Sequence, residues 1–324
     1  MAKKTLPEKY INSIIYIGLF LIFLFSFFQF NLFAIETVKL NIPKIKPRVL
    51  KPYSRIVFKP INEGSAFSAS GMWKDVFWTI NDSDGASAIY PLTKDGKIIK
   101  PKWHKKYEGI KILGAHNVDW EAICADDKGN LIIGDFGNNY NYRRDLALYW
   151  LSEPYPWDIV ATGIIKKISF YYPDQKKFPP IKRNFDAEGM FYYKGKIYIF
   201  SKNRSDTMTK LYRLDSEFTD SKNPLTLIAS FDAGAMVTDV AIDREKGKIA
   251  LLNYKYIWVF DIPKDSDNFF KGKASFLPIK AGKCEGITFY KDSLLISNEQ
   301  RDLFEVKLKD LILVKGNHSG AGNV

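Results

Sequence analysis

The sequence predicts an all-β fold, a five-bladed β-propeller of four-stranded antiparallel blades preceded by an N-terminal hydrophobic helix. Three observations lead there. A tile of roughly fifty residues recurs, each copy carries apolar runs with no polar face, and turn dipeptides separate the runs.

The 324 residues are 46% hydrophobic and 15% aromatic, which supplies a large core and excludes a globally disordered chain. A net charge of +12 favours anionic partners. The lysines are scattered, however, and no basic stripe forms, so they are expected to solvate the surface. Nucleic acid is not expected as a partner.

Residues 1–35 carry Lys3, Lys4 and Lys9 ahead of an uncharged apolar block, "IIYIGLFLIFLFSFF", the layout of an export signal. Cleavage could follow Ala34, although Leu32 is larger than that site prefers. Left uncut, Ile14 to Ile35 would span a bilayer once, with the lysines holding the N-terminal end in the cytoplasm. Both outcomes put the remainder outside the cytoplasm, periplasmic, secreted or anchored. Cys124 and Cys284 are the two cysteines, and their spacing leaves a disulfide open.

Residues 36–60, with Pro43, Pro47, Pro52 and Pro60, read as an extended tether able to lend a strand to close the ring. The propeller is expected over 61–316, and the tail over 317–324 as disordered. The clearest tile is "NFDAEGMFYYKGKIYIFSKNR" at 184–204. Aligning on Glu188 gives markers at Ser70, Glu121, Glu188, Asp239 and Glu285. Second runs follow as "VFWTIN", "NLIIGD", "KIYIFSKN", "KIALLN" and "SLLISN", apolar on both faces as strands between neighbouring sheets must be. Third strands are expected at "SAIYPL", "LALYWL", "KLYRLD", "YIWVFD" and "LFEVKL". Fourth strands are expected at "GIKILG", "KISFYY", "LTLIAS", "ASFLPI" and "LILV". A sixth blade could be assembled from 48–58 and the terminal strand.

In this arrangement the first strands line the axis, which brings Glu121, Glu188, Asp239 and Glu285 together. The second strands end in Asn81, Asp135, Asn203, Asn253 and Asn298. Converging carboxylates need a raised pKa or a cation. Oxygen donors without histidine or cysteine suit a hard ion, calcium or magnesium and not zinc, so Glu121, Asp135, Glu188, Asn203, Asp239, Asn253, Glu285 and Asn298 are the candidate metal ligands, with calcium the expected ion. Lys202 and Arg204 could supply the positive charge instead, and backbone N–H groups could take up the carboxylates. The polar loop "GDFGNNYNYRR" at 134–144 is a second candidate site. "NDSD" at 81–84 has part of a calcium-loop pattern without the rest.

No nucleophile elbow, phosphate loop, zinc pattern or dinucleotide fingerprint is present. The three histidines, at 104, 116 and 318, are far apart in sequence. His116, just before a marker acid, and Glu188 are the candidate catalytic groups.

The runs "FWTINDSDGASAIYPLTKDGKI", "NVDWEAICADDKGNLIIGDFGNNYNYRR" and "ISFYYPDQ…NFDAEGMFYYKGKIYIFSKNR" resemble a family of exported bacterial propeller proteins, often labelled esterase-like phytase-related or WD40-like. Its more specific pieces are Asn81-Asp82-Ser83, Asn117 to Glu121, Gly134-Asp135 with Gly137 and Asn139, and Asp186-Ala187-Glu188. The resemblance implies a propeller outside the cytoplasm and no agreed reaction. The family's usual second aspartate is Asn138 here, so an ion site using it would lose one charge. The phytase-related label would imply calcium-dependent phosphate-ester hydrolysis, but the sequence lacks an evident dense acidic cluster for it.

The expected function is therefore a monomeric binding or scaffold module of the cell envelope, taking a small molecule or an envelope component. The alternative is a calcium-dependent hydrolase of lactone or phosphate esters, with its site at the channel mouth.

Overall fold

The computed structural model describes residues 35–83 and 85–314. The chain divides into two units, Met1–Glu36 and Thr37–Val324, and every strand of the described residues belongs to the second. The leader or anchor helix expected over 1–35 lies, apart from Ile35, outside the described residues, as do His318 and the tail. Among the described residues there is no α-helix, and no helix is long and apolar enough to cross a membrane.

Three two-residue strands come first: β1 (Thr37–Val38), β2 (Arg48–Val49) and β3 (Ser54–Arg55). A first antiparallel group follows as β4 (Gly64–Ala69), β5 (Phe77–Asn81), β6 (Ala88–Leu92) and β7 (Ile110–Leu113). The second comprises β8 (Trp120–Ala125), β9 (Asn130–Asp135), β10 (Ala147–Ser152) and β12 (Lys166–Tyr171), while β11 (Ala161–Gly163) pairs back on β7. The third is β13 (Ala187–Tyr193), β14 (Lys196–Ser201), β15 (Met208–Leu214) and β16 (Asn223–Asp232). The fourth is β17 (Val237–Asp243), β18 (Lys248–Asn253), β19 (Tyr256–Asp261) and β20 (Ala274–Lys280). The last contains β21 (Cys284–Tyr290), β22 (Ser293–Asn298) and β23 (Asp302–Lys307), and β24 (Ile312–Leu313) ends the described chain.

Lys128-Gly129, Lys194-Gly195 and Lys246-Gly247 turn the hairpins between first and second strands of the second, third and fourth groups. Gly195 and Gly247 sit at positive φ, a backbone that side chains disfavour and a tight reversal needs. The second strands β5, β9, β14, β18 and β22 are buried on both faces, because each lies between two sheets.

Two assignments at the ends differ from expectation. "LILV" does not complete the last sheet: Ile312–Leu313 pairs with β20 instead. The fourth place, beside β23, is taken by β3 from the N-terminal stretch. Residues 36–60 are therefore more than a tether, since β1 pairs with β16 and β2 with β20. The segment that would have begun a sixth blade is divided between β2 and β3.

The first strands neighbour one another in the cyclic order β4, β8, β13, β17, β21 and back to β4. The core follows the same cycle. Trp78 packs in a cluster with Leu131, Ile132 with Met190, Phe200 with Leu251, Leu252 with Ile296, and Phe77 with Leu295, so each pair of successive sheets shares its own apolar layer. Fully burying one such side chain contributes about 1.5–3 kcal/mol, so these five layers hold the sheets together.

Candidate functional site

The polar end of the molecule begins with a backbone irregularity. In β8, β13 and β21 the register slips by one residue, leaving Glu121, Glu188 and Glu285 as the extra, bulged residues. A bulge re-aims a side chain that regular pleating would send elsewhere. The glycine after two of these acids permits close packing: a Cβ at Gly189 would fall 2.9 Å from Val240, and one at Gly286 2.7 Å from Phe67.

The same slip corrects the marker alignment. In β17 the bulged residue is Thr238, so Asp239 is one place out of step with the glutamates. In β4 the slip falls between Ser65 and Ser68, and Ser70 lies beyond the strand. Ser65 takes the place near the acids, donating its hydroxyl to the Glu121 carbonyl at 3.1 Å.

Glu121, Glu188 and Glu285 line a cavity of about 530 Å³, with Asp82, Lys202, Arg204 and Tyr254 among its walls. Lys202 Nζ lies 2.5 Å from Glu188 Oε1, and both side chains are buried. Burial opposes the ammonium charge, but Glu188 and Glu285 outweigh it and hold Lys202 well above the ordinary lysine range. Tyr254 stacks its ring 5.4 Å from Lys202 and donates its hydroxyl to Glu285 Oε1 at 2.7 Å. Arg204 donates from Nε to Asp186 Oδ2 at 2.6 Å, and it also reaches Glu188 and Asn139.

Among the described residues, no cation is ion-paired with Asp82, Asp119 or Glu121. Asp82, Asp119 and Glu121 bring one carboxylate oxygen each within 4.8 Å of one another. Burial, then the charges of Asp82 and Asp186, push Asp119 up to about 7, against the pull of Arg143. Burial and Glu188 raise Glu121 well above the carboxylate range. Asp119 Oδ1 and Glu285 Oε2 are buried without a hydrogen-bond partner. Glu121, Asp186 and Glu188 form a second such triad. Asp82, Asp119 and Asp186 were not among the aligned markers. The signal that could have found Asp119 and Asp186 is the Asp-x-Glu spacing repeated at 119–121 and 186–188, while Asp82 falls in the "NDSD" stretch.

The remaining candidate ligands are not brought to this cluster. Asn253 donates to the Ala233 carbonyl at 2.9 Å and accepts from Lys255 and Tyr256 N–H, tying loops to its strand. Asn298 does the same with Ala281 and Asp302, and Asn81 holds the Pro60 carbonyl. Opposite Ala187 the register places Ser201, not Asn203, and Asn203 pairs with Asp206. Asp135 accepts from Arg143 at 2.9 Å and from the Asp119 N–H. Asp239 accepts from Val240 N–H and, across to β21, from Ile287 N–H at 2.7 Å, which pins neighbouring first strands together.

The loop at 134–144 bonds largely to itself and to the next sheet: Asn141 holds the Asn138 carbonyl and accepts from Phe185 N–H, while Asn138 N–H donates to Asp186. Asn139 faces the cavity, and the following Tyr140 stacks on exposed Tyr142. His116 is exposed, away from the cavity walls, and its carbonyl accepts from Trp120. Cys124 and Cys284 are separate buried thiols.

No family model and no curated protein matches the sequence. Among solved structures, the chain is similar to a functionally unknown protein from Desulfotomaculum acetoxidans, with 12% identity over 78% of this chain and 72% of that one, at a TM-score of 0.39. A chain of the mitotic checkpoint complex shares 11% identity over 76% of this chain and 64% of its own length, at 0.37. Sqt1 from Chaetomium thermophilum shares 13% over 60% and 44%, at 0.34. The chain thus spans under two thirds of the length of the last two.

Proposed function

We propose that this protein is an extracytoplasmic five-bladed β-propeller, exported or anchored by its N-terminal segment. We propose further that it acts as a monomeric binding module of the cell envelope. Five blades are supported by the closed cycle of five first strands and the five apolar layers that follow it. The exported propeller family whose motifs it resembles supports the address.

The ligand site in this reading is the cavity of about 530 Å³ at the glutamate end. The observation that carries it is the unpartnered Glu285 Oε2 on a wall it shares with Lys202, Arg204 and Tyr254. The walls hold Glu63, Asp82, Glu121, Glu188, Glu285 and Glu299 against Lys202, Arg204 and Lys283. An excess of acids repels free anions and favours hydroxyl-rich or amine-bearing molecules that donate hydrogen bonds. Exposed Tyr140, next in chain to the wall residue Asn139, stacks on Tyr142 and offers an aromatic surface near that wall.

A melting screen of sugars, polyols, amines, lactones and phosphate esters tests this. Amines or polyols should raise the wild-type melt and lose most of that effect in Glu285→Gln. A flat response across all classes, or one indifferent to Glu285, would sink the reading. The rival, a calcium-dependent hydrolase, is favoured by the Asp82, Asp119 and Glu121 triad and predicts turnover of a lactone or phosphate ester with calcium present.

A further inference from the structure

Lys202 and Arg204 make their ion pairs with Glu188 and Asp186. Arg143, the other guanidinium nearby, is engaged by Asp135 and Asp145. Asp82, Asp119 and Glu121 therefore share a space with no ion pair to any of them among the described residues.

A second observation points to what fills it. Asp119 is only 8% exposed, yet its Oδ1 has no donor, an acceptor left over beside other acceptors. Gly137 holds the carboxylates from behind: a Cβ there would fall 2.4 Å from Asp119 Cγ and 2.5 Å from Glu121 Oε1. The acids are thus pressed against bare backbone. Asp82 is partly exposed on the cavity wall and gives an entry path.

We propose that Asp82, Asp119 and Glu121 form a divalent-cation site opening on the cavity, with calcium its preferred ion and water completing the coordination. Carboxylate oxygens alone are hard donors, which suit calcium and magnesium and not zinc. Carboxylates from the loop after β5 (Asp82), the loop before β8 (Asp119) and β8 itself (Glu121) form an irregular set, which calcium accepts more readily than octahedral magnesium does. The neighbouring triad is not the site, because a cation between Asp186 and Glu188 would displace Arg204 and Lys202. The proposal rests on the triad that also favours the calcium-dependent rival, claims no reaction, and is tested without any organic ligand, so calcium binding with no ester turnover would sink the rival and leave the site standing.

Chelator-treated protein titrated with calcium chloride alone should release or take up heat with a single site per chain, and magnesium chloride should bind more weakly. Terbium in the site should luminesce on tryptophan excitation, since Trp120 separates Asp119 from Glu121. Asp82→Asn and Asp119→Asn should each weaken calcium by about tenfold or more. Asp292→Asn, on a turn whose side chain is 90% exposed, should leave it unchanged. If Asp119→Asn does not fold, the partly exposed Asp82→Asn carries the test. Absence of calcium and terbium binding at millimolar concentration, or equal binding in Asp82→Asn, would overturn the site. The amine and polyol screen would still judge the cavity separately.

Discussion

Lys202 Nζ sits 2.5 Å from Glu188 Oε1 with both groups buried, so the glutamates that converge from β8, β13 and β21 are answered by a lysine of the chain itself. Removing it leaves buried carboxylates without their counter-charge. Lys202→Met should cost about 3–5 kcal/mol in urea unfolding, and adding Glu188→Gln should recover part of that loss. A Lys202→Met protein within about 1 kcal/mol of the wild type would show that the pair is dispensable.

Gly137 is held by sterics rather than by its φ. Gly137→Ala should cost about 1–3 kcal/mol, because the new methyl meets Asp119 and Glu121. Gly163→Ala, where a Cβ meets nothing within 4 Å, is the matched control and should melt like the wild type. Equal melts for the two variants would mean that the loop yields at little cost.

Ser70 belongs to a different network from the one its alignment suggested. Its hydroxyl donates to Glu153, which also accepts from Trp78 Nε1 at 2.7 Å and Gly71 N–H at 3.1 Å. Glu153→Ala strands the buried indole N–H and should cost about 1–3 kcal/mol, with a shift in tryptophan emission. Unchanged emission and stability would refute this role.

Closure of the last sheet depends on a distant segment. Beyond the β3 pairing, Tyr53 N–H donates to Leu303 O at 2.9 Å and Ile56 N–H to Arg301 O at 2.8 Å. A chain beginning at residue 57 should melt lower and less cooperatively, and a peptide of residues 48–58 added in trans should raise the melt. A truncated chain that melts like the full one would remove β3 from the closure.

Glu305 links the first sheet to the last through Lys94 at 2.7 Å, and it also accepts from Lys307 and Ser293. Hydrogen bonds from Lys307 and then Lys94 pull its carboxyl from 4.5 down to about 2. The folded chain therefore binds fewer protons than the unfolded chain in that window. The contribution is whole above pH 4.5 and disappears as pH falls toward 2. Glu305→Gln should flatten the acid limb of the stability profile, more visibly at low salt. Identical acid limbs would count against the bridge.

The sequence by itself determined the first three strands of each group and most of the fourth, but not the short strands β1, β2, β3 and β11. Apolar runs with no polar face, separated by Lys-Gly turns, have few places to go except between sheets, and β5, β9, β14, β18 and β22 are all buried on both faces. It also placed Glu121, Glu188 and Glu285 together, since the repeat carried the acid at one position of successive tiles. Tertiary structure alone decided which acids face one another. A single bulged residue changes the direction of a side chain without leaving a mark in the pattern, so Asp239 pins a neighbouring strand while Asp119 enters the acidic group. The same holds for Lys202 as the neutralising cation and for β3 as the closing strand. Both depend on contacts between residues far apart in the chain, and local periodicity carries no information about those.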